Sequence, residues 1–468
     1  MDSKDLLILT ALIYLLIMLA IGFWANRKVK NYSDFMVAGR QLPYWLCTFT
    51  LFATWFGGGT CIGAAGAAYE GGMLGVIADP FGAALCLALA GLFYVRKLRR
   101  LAFHTVADFF KARFGKEAEL LCSIFSIPAY VGWVGSQFVA IGFIFHTFTG
   151  VDVETAIFIG ALCILVYTTI GGLWAVAVTD FIQALVIIVG LLVLFALVLT
   201  DLGGVEQALS LVPTDRWRLI PDSSFKDWLW YLQAWFVVGL GNLPGQDLVQ
   251  RAMGARSENV AQTSAISAGA LYLLIGLVPV FLGMLGSFIL PELENAELIV
   301  PLLCQKYLPP VGMAILLCAL FSALMSSADS ALLAAASLVG KNISAFFSQN
   351  QPQETVLKIT RWAIPVLGLL ALVIALYFKN VYNLMVNSWS TILVTLFVPF
   401  TAGLFWRKAN RPAAVMSMLA GLVFWLVLLL VQSRYPADLL ATAMAAGVMV
   451  IGSLWTGKHH PPTWIPEK

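Results

Sequence analysis

Ala323, Ser326, Ser327 and Ser330 fall at i, i+3, i+4 and i+7, which is one stripe of a helix, and Asp329 lies beside that stripe. The run sits inside an apolar stretch, 309–340, that is long enough to cross a bilayer. Hydroxyls and a carboxylate at that depth are costly unless they pair with one another or ligate a cation. Hydroxyl and backbone carbonyl oxygens are hard ligands, suited to a monovalent ion that must also leave. The competing account has the serines bonding back to their own helix or packing against a neighbour. Asp180 closes the run Tyr167–Asp180 at the start of another apolar helix. It reads either as a second cation ligand or as an interfacial acid favoured by the helix dipole. Asp79, followed by Pro80, begins a further span. It reads as a partner for an amine or hydroxyl in a central cavity, or as a helix-start acid with proline in the first turn.

Two elements would have to position these groups. The apolar stretch 44–72 is interrupted by Gly57, Gly58 and Gly59, and glycine is the poorest helix former after proline. Irregular backbone survives at membrane depth only inside protein or against a wet cavity. The glycines therefore mark a broken helix whose backbone groups bind something, or a close contact with another helix. A second stretch, 228–252, carries three glycines and Pro244 between Gly239 and Gly245, and proline breaks or kinks a helix there. Asn242, Gln246 and Asp247 flank this break, as candidates to line a solute pocket or to cap the half-helix. Trp55 offers an aromatic wall just before the glycines.

The whole chain is built for a bilayer. Its 468 residues are 60% hydrophobic and 11% charged, with a mean hydropathy of +0.88, where soluble domains carry about 25% charged residues. Thirteen spans are expected, as an all-α integral membrane fold in one transport domain. Helix 1 covers 5–25, a first five-span segment 44–200, a second 228–406, and helices 12 and 13 fall within 412–456. With these spans, 21 of the 28 Lys and Arg fall on one side, which predicts a cell-membrane protein with its N-terminus outside and its C-terminus cytoplasmic. The basic runs Arg96–Arg100 and Lys111–Lys116, with Arg251, are counted among these topology determinants. Two discontinuous helices, each opening a five-span segment, point to an inverted repeat with a midplane site. The N-terminus lacks the basic region and cleavage site of a signal peptide, so the first helix is expected to be retained. The seven cysteines have no metal-ligand spacing and read as small buried hydrophobes. Zinc-protease, P-loop and dinucleotide-binding motifs are absent, so the chain reads as a non-enzyme whose energy comes from an ion gradient.

In order along the chain, ATWFGGG (53–59), YTTIGGLWAVAVTD (167–180), PGQDLVQR (244–251) and SALMSSADS (322–330) resemble the sodium:solute symporter family. That family carries sugars, proline, pantothenate, sialic acid and choline. The resemblance implies a LeuT-like fold with one extra N-terminal helix and broken second and seventh spans. It places a main sodium ion (Na+) on Ala53, Phe56, Ala323, Ser326 and Ser327, and a possible second sodium on Asp180, Ser326, Asp329 and Ser330. By motif the nearest branch is choline carriers, but of their aromatic cage only Trp55 is present, the other positions reading Ala83, Ser136 and Gly245. The sugar-carrier branch places an acid near Asp79. Solute-binding candidates are Trp55, Gly58, Thr60, Asp79, Ser136, Gln137, Asn242 and Gln246, with the glycines making room for the solute.

The expected activity is sodium-coupled import of a small organic solute by alternating access. The alternative is a sodium-dependent sensor or a channel-like member of the same fold. The short segment after the last span argues against a sensor, since sensors of this kind carry a further C-terminal domain. Partners are the solute, sodium and the lipid bilayer, with no nucleic acid and no obligate protein partner called for. No intramembrane Lys or Arg is evident to pair a carboxylate, which favours a neutral, zwitterionic or cationic solute.

Overall fold

The computed structural model describes residues 9, 10, 13, 14, 16, 17, 20, 32–170, 173–222, 224–348 and 351–457. Among them the fold is helical throughout, with one isolated backbone bridge between Leu42 and Ala255. Nine of the described helices are long and apolar enough to cross a membrane. Most of the expected first span, 5–25, lies outside the described residues.

Both expected breaks are present. The first span of the core runs as α1 (Tyr44–Trp55), loses helical geometry at Phe56 and Gly57, and resumes through a wide-turn segment, Gly59–Ala64, into α2 (Ala65–Gly71). Phe56 has ψ of 71°, and the Gly57 N–H turns back to the Trp55 carbonyl at 2.9 Å. In a continuous helix that N–H would bond to Ala53, so the Ala53 carbonyl is released. Downstream, α3 (Lys116–Thr149) and α4 (Leu173–Asp201) are continuous. The second break separates α5 (Phe225–Gly239) from α6 (Gln246–Gly254), with turns over 240–244. Then come α7 (Glu258–Ile289), α8 (Pro310–Ser337), α9 (Val381–Ile392), α10 (Arg411–Leu430) and α11 (Ala437–Thr456). Caps set several of these starts: Ser257, Asn380 and Asn410 side chains each accept a backbone N–H from the first turn.

α8 is the axis of the bundle. It is buried from Leu316 to Ser337 apart from no more than slight exposure, and it packs on α3, α4, Gln353–Tyr377 and α1. Between apolar helices in lipid, close packing supplies the cohesion, and small residues permit it. The Ala and Ser content of α8 serves this as much as any ligand. Gly276 of α7 does the same against the Pro80 ring, whose Cβ would lie 2.6 Å from an added methyl.

Several expectations need correcting. Asp79 does not start a helix. Gly72, in a left-handed conformation (φ 63°), turns the chain directly into the next span, and Asp79 sits several residues in, as an extended residue (φ −147°, ψ 122°) that interrupts it. Asp180 is also interior, since α4 already covers Leu173. Between α7 and α8 the chain forms a further short helix, Ile299–Tyr307. Arg251 and Arg113 are buried, so neither acts simply as a surface charge that orients the chain. Arg113 holds the Gly403 and Trp406 carbonyls at 3.1 and 3.2 Å. Of the cysteines, all but the half-buried Cys163 are buried.

Candidate ion and solute site

The two breaks meet side chain to side chain. Trp55, the last residue of α1, donates its indole N–H to Asp247 Oδ2 in the first turn of α6, at 2.6 Å. Tyr130 of α3 donates its hydroxyl to the other carboxylate oxygen at 2.7 Å and accepts the Asp247 backbone N–H at 3.1 Å. The helix N-terminus favours this anion electrostatically. Around it stands an aromatic wall: Trp133 and Trp389 rings lie 5.1 Å apart, and Tyr130 meets Trp389 edge-on at 5.8 Å. All four aromatic side chains are buried.

On the other side of α1 lie the ion-ligand candidates. Ser327 Oγ lies 3.4 Å from the released Ala53 carbonyl, a long contact that leaves both oxygens free to turn toward an ion. Phe56 at the break and Ala323 one turn before Ser327 are buried alongside. Ser326 donates to Asp180 Oδ1 at 2.5 Å, which leaves its lone pairs available. Thus a hydroxyl shared by both expected ion sites also fixes the second carboxylate.

The four residues of the possible second ion site come together with a fifth that the sequence reading did not place there. Asp180 accepts from Thr50 as well as Ser326. Ser330 donates to Asp329 Oδ1 at 3.3 Å and accepts from the Arg251 guanidinium, which lies 3.9 Å from Asp180 Oδ2. Asp329 Oδ2 is buried and, among the described residues, has no hydrogen-bond partner. Two carboxyl groups share one guanidinium here, and one buried carboxyl oxygen is still open to a cation or a proton.

The solute candidates divide. Thr60 donates to Asp79 Oδ2 at 2.7 Å, and Tyr272 of α7 donates to Asp79 Oδ1 at 2.7 Å while lying 3.2 Å from the Trp55 carbonyl. Asp79 thus belongs to a closed polar cluster at the first break. Gln137 caps the break itself, accepting the Gly58 N–H at 2.7 Å, and its amide reaches Ser136 at 3.1 Å. Ser136 bonds back to the Trp133 carbonyl at 2.7 Å, so its hydroxyl proton is used within α3. Gln246 points away from the wall, accepting the Val106 N–H at 2.7 Å. Asn242 is buried, with its Oδ1 among the side-chain oxygens that lack a hydrogen-bond partner among the described residues.

The glycines do not hold open a space. An added methyl at Gly57 would lie 2.6 Å from Gln137 Oε1 and 2.7 Å from Ser327 Cβ, and one at Gly58 2.7 Å from Ala140 and Leu324. At Gly59 it would strike Met385. They let α3, α8 and α9 close on the break.

Comparison with known proteins bears on the family and the fold. The family model described as sodium:solute symporter family covers residues 35–421. A human high affinity choline transporter is 30% identical over 442 residues, covering 89% of this chain and 75% of the relative. The sodium/pantothenate symporter of Escherichia coli is 27% identical, covering 92% of this chain and 91% of the relative. A sodium-coupled sialic acid symporter structure, 22% identical, superposes over 98% of both chains with a TM-score of 0.82, which establishes the LeuT-like fold. With the breaks, the serine stripe and the family model all falling on the same segments, the chain belongs to the sodium:solute symporter family.

Proposed function

We propose that this protein imports a small organic cation across the cell membrane together with sodium, by alternating access through thirteen crossings arranged as a five-plus-five inverted repeat. One observation carries the reading. Asp79, Asp180, Asp247 and Asp329 are buried around the two breaks, where Arg251 is the buried basic partner. Four carboxyl groups around one guanidinium in a low-dielectric core cannot all stay charged unless cations join them, and that is the opening the site offers to sodium and a cationic solute.

In this reading sodium lies on the Ala53 and Phe56 carbonyls, the Ala323 carbonyl and the Ser326 and Ser327 hydroxyls. By joining α1 to α8 it favours the state that receives solute. Asp329 Oδ2 and Asp180 supply the place for a second cation beside Arg251. The solute's positive group takes Asp247 and the faces of Trp55, Trp133 and Trp389, as a cation over aromatic rings gains from the ring quadrupole. The choline transporters among the relatives support this class of solute. The wall is nonetheless differently built from the cage expected of that branch: it uses Trp133 and Trp389, while Ala83, Ser136 and Gly245 carry no aromatic ring. Coupling follows if sodium and solute bind one state better than the other, since a ligand with equal affinity for both shifts nothing.

The test is uptake into proteoliposomes with an inward sodium gradient, using choline and other quaternary and primary amines, with neutral sugars and acids as contrasts. Saturable uptake of amines that needs sodium is expected; uptake of sugars or acids alone would overturn the solute class. Asp329→Asn should lower the number of sodium ions per solute, read as a changed reversal potential. An unchanged reversal potential removes the second ion.

A further inference from the structure

A second polar cavity, of about 500 Å³, lies apart from the breaks between α5, α9, α10 and α11. Its floor is Asp438, at the start of α11. That carboxylate accepts the Ser390 hydroxyl at 3.0 Å and the Trp425 indole N–H, and its own backbone N–H goes to Gln233. Trp230 and Tyr435, both exposed, line it as well, together with the exposed Asn387 and Gln432. A carboxylate accepts at about four lone-pair positions, so two donors leave Asp438 able to take more.

This lining is unlike the lipid-facing groove over Leu185, Val193 and Ile315, which is apolar throughout. Here an acid at the bottom, three aromatic side chains and side-chain amides converge from four helices. Of the charged groups, only Asp438 lines the cavity. That is the chemistry that recognises an ammonium group: one opposite charge, ring faces for the methyls or methylenes, and amide oxygens for any N–H.

We propose that this cavity is a peripheral binding site for an ammonium-bearing group, separate from the transport site. Its placement couples it to transport. Ser390 and Asn387 lie on α9, whose Trp389 stands in the central aromatic wall, and Gln233 and Trp230 lie on α5, the first half of the second broken span. An occupant therefore ties α5 and α9 to α10 and α11 and restrains the pair of helices that the central site has to move. The ammonium has two sources, a free organic cation in the outer medium or the headgroup of an ethanolamine or choline lipid.

Thermal unfolding of the full protein in nanodiscs separates these. The probe is tetramethylammonium chloride, the discs are made of phosphatidylglycerol alone, and the central site is disabled by Asp247→Asn. A saturable rise of the unfolding midpoint is expected in this background, since binding to the folded state alone stabilises it. Gln432→Lys places a tethered ammonium at the rim of the cavity and should abolish the rise. Gln432→Met, uncharged and on the same exposed backbone, should preserve it. Tyr435→Ala should raise the half-saturating concentration about tenfold. Discs containing phosphatidylethanolamine then name the source. If the lipid alone raises the midpoint and tetramethylammonium adds nothing, the headgroup is the occupant; if the probe still acts, it is the free cation. No saturable rise in phosphatidylglycerol discs, or a rise that survives Gln432→Lys, overturns the site.

Discussion

The first break is made by glycine and its freed backbone groups face other helices; the second is made by glycine and proline and closes on its own turn. At the first, the freed Gly58 N–H is capped by Gln137 from α3, and the freed Ala53 carbonyl faces Ser327 from α8. At the second, Gly245 N–H bonds to Asn242 within the turn at 2.9 Å, and Asp247 accepts two side chains brought to it. One break therefore offers carbonyls to a cation that bridges helices, and the other offers a carboxylate at a helix start. In the proposed function sodium goes to the first and the solute's charge to the second.

The sharpest way to break that division is Asp247→Asn. The amide keeps an acceptor for Trp55 or Tyr130 while the charge is lost. Apparent solute affinity should fall about a hundredfold, ~2.7 kcal/mol, with the half-maximal sodium concentration nearly unchanged. Uptake assays at varied solute and varied sodium check it. A shift in sodium dependence as large as that in solute would merge the two breaks into one site.

The reciprocal variant is Ser327→Ala. Removing one hydroxyl ligand while leaving the helix and Ala53 in place should raise the half-maximal sodium concentration about tenfold. Folding should be intact, because alanine is the better helix former. Unaltered sodium dependence in proteoliposomes would detach the serine stripe from the ion.

How far the sequence shows this follows from what kind of signal each part leaves. Both breaks were legible, because three glycines or a Gly–Pro cluster inside an apolar run contradict helix formation locally. The serine stripe was legible through its spacing. The wall of Tyr130, Trp133 and Trp389 was not, since aromatic residues in continuous apolar helices look the same whether they face lipid, core or solute. Tyr272 escaped for the same reason. Arg251 was misread because a lone cation a few residues beyond a break also fits the boundary of a span, and only tertiary packing shows it beside Asp180 and Ser330. The glycine run was rightly read as a break but wrongly as a space, because the absence of side chains does not say whose side chains fill the gap. Gln246 stood one residue from Asp247 and on a helix points elsewhere, which spacing alone allowed but did not require.

A smaller effect separates the breaks by their inner ends. Gln246 ties the second break to the start of Val106–Phe114 through the Val106 N–H, a contact the first break lacks among the described residues. Gln246→Ala should destabilise the protein by about 1 kcal/mol, as loss of a helix-start acceptor does, without moving sodium or solute affinity in equilibrium binding. A change in either affinity as large as those above would place Gln246 in the binding site itself.

The smallest effect is a pH dependence at that same joint. His104, in the turn before Val106, offers its carbonyl to Gln246 at 3.4 Å and its backbone N–H to Asp108 at 3.0 Å. Burial, and then the Lys341 ammonium, push its imidazole down to about 4; Asp108 opposes that shift and Arg40 adds to it. A histidine held below its ordinary value of about 6.5 is neutral in the fold, so the unfolded chain takes up the proton first. Its contribution to stability is therefore complete above pH of about 6.5 and is lost as the pH falls from there toward about 4. His104→Gln, which cannot titrate, should flatten the fall in unfolding midpoint between about pH 7 and pH 5 while leaving the midpoint near pH 7 little changed. Equal acid sensitivity in the variant and the parent protein would move the proton uptake to other groups and leave the second break's inner joint indifferent to pH.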